Sequence, residues 1–146
     1  VELAVLSVYA QGVAAVGSPA AVRAVDAFVA HHRAHARAFA ALAGDDALLA
    51  APVALVDALA STSPLASERD GLTFLHDLES RLAATQQYLL GSLVTVPAIT
   101  LVAGTLPVEC QHAALYGGLL SLPLADVAPV AQGVAGHLAI DDYPVP

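Results

Sequence analysis

Apolar residues recur every three or four positions along most of this chain, and the pattern divides into four long helices. The first runs from Val1 to about Val16, with Glu2, Leu6, Tyr9, Val13 and Val16 on one face. Gly17-Ser18-Pro19 ends it and offers a cap and a first-turn proline to the second. That second helix runs to about Ala43, with Val25, Phe28, His32, His35, Phe39 and Leu42 facing inward, and Gly44-Asp45-Asp46 stops it. The third starts near Ser67, with Glu68 and Asp70 in its first turn, where negative charge suits the helix dipole. Its stripe is Leu72, Leu75, Glu79, Leu82, Gln86 and Leu90. The fourth spans about Pro97 to Leu122, with Glu109, His112 and Tyr116 on one side. Pro107 lies inside it and is expected to kink or interrupt it, because proline removes a backbone donor and crowds the preceding turn.

The connections set the topology. Residues 45–66 form a long link containing Pro52 and Ser61-Thr62-Ser63-Pro64, with a short helix expected at Val53–Leu59. Helices joined by short loops lie antiparallel, whereas a long link lets the third helix cross over and run parallel to the second. The fold predicted for residues 1–122 is therefore an all-α antiparallel four-helix bundle, two hairpins joined by a crossover. Residues 123–146 are Pro-rich and read as a strap packing on the bundle, with a brief helix near Val127–Val134 and with His137, Asp141 and Asp142 solvated.

Composition narrows the function. Hydrophobic residues make up 58% and aromatics 5%, so the apolar content is mostly Ala, Val and Leu, which favour closely packed helices. The chain has no Lys, and five Arg against thirteen acids give a net charge of −8. Nucleic acid and anionic membrane surfaces both call for basic clusters, and none is present. The mean hydropathy of +0.71 raises the question of a membrane span. Residues 82–108 carry no charge, but Gln86, Gln87, Gly91, Pro97, Gly104 and Pro107 interrupt them, which fits a helix end, a loop and a second helix. One cysteine, Cys110, excludes an internal disulfide and reads as a small apolar residue on a neighbouring helix face. The remaining apolar surface fits a homodimer. Glu2 lies so near the start that the chain is expected to continue before Val1, leaving both a cytoplasmic and an exported protein open.

The polar residues on the inward stripes carry the chemistry. Glu2 precedes His32 by the same thirty residues that separate Glu79 from Glu109, and each is followed by a histidine three positions on, His35 and His112. Residues i and i+3 share a helix face, so each pair aims two groups the same way. A carboxylate on one helix and such a pair on the next, done twice, is how four-helix bundles build a dinuclear metal site. Adding 77 to Glu2, His32 and His35 gives Glu79, Glu109 and His112, a degenerate duplication of one hairpin. These six are the candidate metal ligands, and their oxygen and nitrogen donors suit Fe, Mn or Zn. Glu2 and Glu79 would bind terminally, Glu109 would bridge, and His35 and His112 would each cap one ion. His31 with His35 is a rival i, i+4 pair, though the repeat selects His32. His76 is either an outer partner or a surface residue, and Tyr9, Tyr88 and Tyr116 are expected to hydrogen-bond the glutamates. The alternative is a metal-free core in which buried protonated acids hydrogen-bond to histidines.

The segments Glu2 to Gln11, His31 to Ala36, Leu78 to Leu89 and Pro107 to Ala113 resemble the bacterial ferritin-like domain proteins, which include desiccation-related and many exported actinobacterial members. The resemblance spans about residues 1–122 and implies a bundle with a left-handed crossover and a dinuclear iron or manganese centre. By resemblance, Glu2, His35, Glu79, Glu109 and His112 match ligand positions, whereas His32 stands where the general pattern has a bridging glutamate. A neutral imidazole has one lone pair and cannot span two ions. Three carboxylates in place of four leave one ion, two ions with an added hydroxide, or none.

Overall fold

The computed structural model of the chain describes residues 1–127 and 136–139. Among them every regular element is helical and there are no strands. The long helices are α1 (Glu2–Ala15), α2 (Pro19–Ala43), α4 (Glu68–Leu90) and α5 (Val96–Leu119), while α3 (Val53–Leu59) and α6 (Leu124–Val127) are short.

Local chemistry sets the ends. Extended backbone at Val16 and Ser18 turns the chain, and Pro19 opens α2 with a nitrogen that has no hydrogen to leave unpaired. Gly44 closes α2 at φ +61°, a conformation that costs glycine little. Ser67 and Asp70 form a reciprocal capping box at α4: Asp70 N–H donates to Ser67 Oγ at 3.2 Å and Ser67 N–H to Asp70 Oδ2 at 2.9 Å.

The helix α1 packs on α2 and α4, and α5 packs on the same two. Gln86 touches Glu2 and Tyr9 touches Glu79, so α1 and α4 run in opposite directions. Gln86 pairs with Thr105 and Arg69 with the Leu120 carbonyl, so α4 and α5 do the same. Phe28 meets Tyr116 and His35 meets Glu109, which opposes α2 to α5. It follows that α2 and α4 are parallel, as the long connection between them predicts. Along that connection α3 buries Leu55 and Leu59 on the α1 side.

Several expectations need correction. The buried face of α1 is Glu2, Ala4, Val5, Val8, Tyr9 and Gly12, with Leu6 only half-buried, because a helix apolar on every side gives periodicity no face to choose. Leu42 is 43% exposed and does not face inward. Pro107 does not interrupt α5. It lies with Ala103 on the exposed side, where water can serve the carbonyl it leaves unpaired. The helix ends at Leu119, three residues early, in a turn with Ser121 at φ +58°. A short helix does follow, but at Leu124–Val127; the rest of the expected Val127–Val134 helix, and Asp141 and Asp142, lie outside the described residues. His137 is not simply solvated: its ring stacks on Tyr88 at 4.1 Å, while Leu138 is buried and its N–H donates to Thr85 Oγ1 at 2.9 Å. Among the described residues no helix is long and apolar enough to cross a membrane.

The helices α1 and α4 approach closely at two glycines. A Cβ built on Gly71 would stand 2.8 Å from the Gly12 carbonyl oxygen, and one on Gly12 would stand 2.6 Å from Leu75 Cγ. A Cβ built on Gly104 of α5 would meet nothing within 4 Å among the described residues. Gly71→Ala should therefore lower stability by about 1–3 kcal/mol, the backbone clash outweighing the gain in helix propensity. Gly104→Ala should raise it by about 0.5–1 kcal/mol. Urea unfolding of both variants reads the two signs; a stabilised Gly71→Ala would show that the helices are not held this close.

Candidate metal centre

Every long helix contributes to one interior cluster. Glu2 opens α1, His32 and His35 come from α2, Glu79 from the middle of α4, and Glu109 and His112 from α5. His32, Glu79 and Glu109 are completely buried, His112 and Glu2 nearly so, and His35 is half-buried. Glu109 Oε1 lies 2.8 Å from His35 Nδ1, and Glu109 Oε2 lies 3.1 Å from His112 Nδ1. His112 Nδ1 is also 3.4 Å from Glu79 Oε2. His32 sits between the other two carboxylates, with Nδ1 2.9 Å from Glu2 Oε2 and Nε2 3.0 Å from Glu79 Oε1. All six residues singled out in the sequence thus meet.

The contacts are of two kinds. Those of His32 are aligned hydrogen bonds. Those among His35 Nδ1, His112 Nδ1, Glu79 Oε2 and both oxygens of Glu109 are close but out of line, so these five buried atoms have no aligned hydrogen-bond partner among the described residues. Unpaired buried polar atoms are costly and rare. Lone pairs that crowd together without aiming at a hydrogen are what ligands around a cation require, so the donor set fits a metal ion. Among the described residues two groups of four have ligand atoms within 4.8 Å of one another: Glu2, His32, His35 and Glu109, and His32, Glu79, Glu109 and His112. The 77-residue repeat exchanges them, sending Glu2, His32 and His35 to Glu79, Glu109 and His112. Glu109 belongs to both groups, one oxygen toward each capping histidine.

A surrounding layer holds these groups in place. Tyr9 donates its hydroxyl hydrogen to Glu79 Oε1 at 2.7 Å, and its oxygen is 2.8 Å from that of Tyr116, so two of the three tyrosines serve as expected. Tyr88 does not: it is 45% exposed and faces His137, being on the outer side of α4. Gln86 Nε2 donates to Glu2 Oε1 at 3.4 Å and accepts from Thr105, a pairing with no local spacing to announce it. His31, the rival ligand, instead brings Nδ1 to 2.9 Å from His112 Nε2, on the side of that ring away from the carboxylates. Phe28 stacks on His112 at 3.8 Å. His76 is buried near Gly117, outside the cluster, with Asp77 at 3.4 Å. Cys110 is half-buried beside Glu109, and burial raises its thiol pKa.

Electrostatics follow the geometry. Burial opposes a charged His32, but its hydrogen bonds to Glu2 and Glu79 win and push its pKa up to about 10. Burial would likewise raise Glu109, yet the contacts with His112 and His35 and the charge of His32 pull it down to about 2. The same balance, burial opposed by Glu109 and Glu79, raises His112. Desolvation, with the nearby Glu79 charge, raises Tyr9 and keeps it a hydrogen donor.

These shifts predict a pH profile for the metal-free protein. The stabilisation from a raised His32 is complete below its ordinary 6.5 and fades as pH climbs through about 10. That from a depressed Glu109 is complete above 4.5 and fades as pH falls through about 2. Thermal melts of chelator-treated protein should therefore be highest between pH 4.5 and 6.5, and His32→Leu should flatten the alkaline limb. An alkaline limb unchanged in that variant would mean that His32 is not the charged partner of Glu2 and Glu79.

Set against family models, curated proteins and solved structures, the chain matches none.

Proposed function

We propose that this chain is a ferritin-like four-helix bundle whose interior cluster binds one or two ions of iron, with manganese or zinc as the competing metals, and that it acts on iron together with oxygen or peroxide. One observation carries the reading: five buried ligand atoms on three helices approach one another without hydrogen-bond alignment. Carboxylate oxygen and imidazole nitrogen, with no thiolate among them, are the donors such metals take. Bound iron would supply the electron exchange with oxygen or peroxide.

The residues divide the work. Glu109 offers one oxygen to each group, His35 and His112 cap the two ends, and Glu2 and Glu79 close them. Tyr9 holds Glu79 through Oε1 and leaves Oε2 turned toward His112. His31 occupies the far nitrogen of His112, which fixes the ring and reserves Nδ1 for the interior. His32 need not ligate. As an imidazolium bridging Glu2 and Glu79 it supplies one positive charge, so three carboxylates and His32 sum to −2, the complement of one divalent ion. The repeat provides two sets of ligands, and charge balance favours filling one of them.

A second reading is a metal-free bundle with a structural or assembly role. What favours it is His32, whose two nitrogens are already satisfied by carboxylates without any ion. Elemental analysis of protein purified without chelator separates the two. The metal reading expects Fe, Mn or Zn at about one ion per chain, lost in Glu109→Ala. No metal after iron reconstitution, or full metal in Glu109→Ala, would contradict it. His31→Leu should weaken binding about 10- to 100-fold, as loss of an outer-shell partner does, and His31→Gln should restore most of it.

A further inference from the structure

A cavity of about 290 Å³ opens between the C-terminal turns of α2, the start of α1, the end of α4 and the link before α3. Its walls include Phe39, Ala40, Leu82 and Leu89. Glu2 and Gln86, only 5% and 3% exposed, also line it, whereas Asp46 and Leu48 stand at the exposed mouth. The cavity and the metal-binding cluster share Glu2, on the side of the cluster away from His112.

The lining states what would fit. Apolar walls with a few polar groups at the inner end are the ordinary form of a small-molecule site. An apolar cavity of about 150 Å³ accepts a benzene, so one twice that size takes an aliphatic chain of about six to ten carbons. The inner polar end is an acceptor. Glu2 Oε2 is engaged by His32, while Oε1 receives one long hydrogen bond, 3.4 Å from Gln86, and has lone pairs to spare among the described residues. Among the described residues no basic side chain lines the cavity, and the ionisable side chains there, Glu2 and Asp46, are both acids. The Val1 α-amino group also lines it, but burial lowers its pKa and so disfavours its charged form. A carboxylate-headed molecule would meet repulsion there, whereas a hydroxyl can donate to Glu2.

We propose that this cavity is a binding site for a medium-chain aliphatic alcohol, its hydroxyl directed at Glu2 and Gln86 and its chain along Phe39, Ala40, Leu82 and Leu89. The site shares Glu2 with the metal reading but its apolar walls lie outside the cluster, so octanol binding to chelator-treated protein tests the assignment whether or not the cluster holds an ion.

The test is calorimetric titration of the intact chain with 1-octanol and with octanoate, on untreated and chelator-treated protein alike, alongside methyl NMR. Saturable octanol binding, with shifts concentrated at Ala40, Leu82 and Leu89 and octanoate weaker by about tenfold or more, is the expected result. Ala40→Phe should abolish octanol binding while leaving metal content and helicity unchanged. Should that variant not fold, Ala43→Phe at the mouth takes its place with the same expectation. Absence of saturable octanol binding up to its solubility, octanoate binding as tightly as octanol, or octanol binding retained in a folded cavity-filling variant would each overturn the assignment.

Discussion

Three carboxylates buried in an apolar interior dominate the energetics of this protein. Glu79 and Glu109 have no accessible surface and Glu2 almost none. Charges in such a place are strongly unfavourable unless matched by opposite charge and hydrogen bonds. The structure supplies that matching from every direction: His32 between Glu2 and Glu79, Tyr9 on Glu79, Gln86 on Glu2, and His35 and His112 on either side of Glu109. Among the described residues five ligand atoms still lack an aligned hydrogen-bond partner, and that shortfall links the packing to the proposed chemistry.

The helices serve this layer. The close approach at Gly12 and Gly71 brings α1 against α4 one to two turns beyond Tyr9 and Glu79, holding the tyrosine hydroxyl at hydrogen-bonding distance. The capping box at Ser67 and Asp70 anchors the start of α4, so Leu72, Leu75, Glu79 and Leu82 present one continuous face inward. Antiparallel neighbours then put the i, i+3 pairs of α2 and α5 at the same level, and the two halves of the repeat meet across Glu109 and His32. With histidine at position 32 and glutamate at the repeat-related position 109, the two halves differ in charge at the point where they meet.

Much of this was legible in the residues. Spacing alone brought Glu2, His32, His35, Glu79, Glu109 and His112 together, because a helical face and two short loops fix where each points. Ser67 with Asp70, and Pro52 before Val53, marked helix starts for the same local reason. What could not be read depended on long-range neighbours. The buried face of α1 was ambiguous because Ala, Val and Leu surround that helix. Tyr88 resembled Tyr9 and Tyr116 in type but lies on the outer side of α4. Gln86 with Thr105, and His31 with His112, join residues 19 and 81 positions apart, and no local pattern announces such pairs. The lone histidine next to a stronger candidate, His31, was weighed as a rival ligand when its place is behind one.

Anomalous diffraction at the iron edge, from crystals of protein reconstituted with Fe(II), tests the central proposal most directly, since it reports both the position and the number of ions. The expected result is a peak enclosed by Glu109 and its neighbours, beside His112 and Glu79 or beside His35 and Glu2. An interior without a peak, its six side chains closed on one another by hydrogen bonds alone, would contradict it.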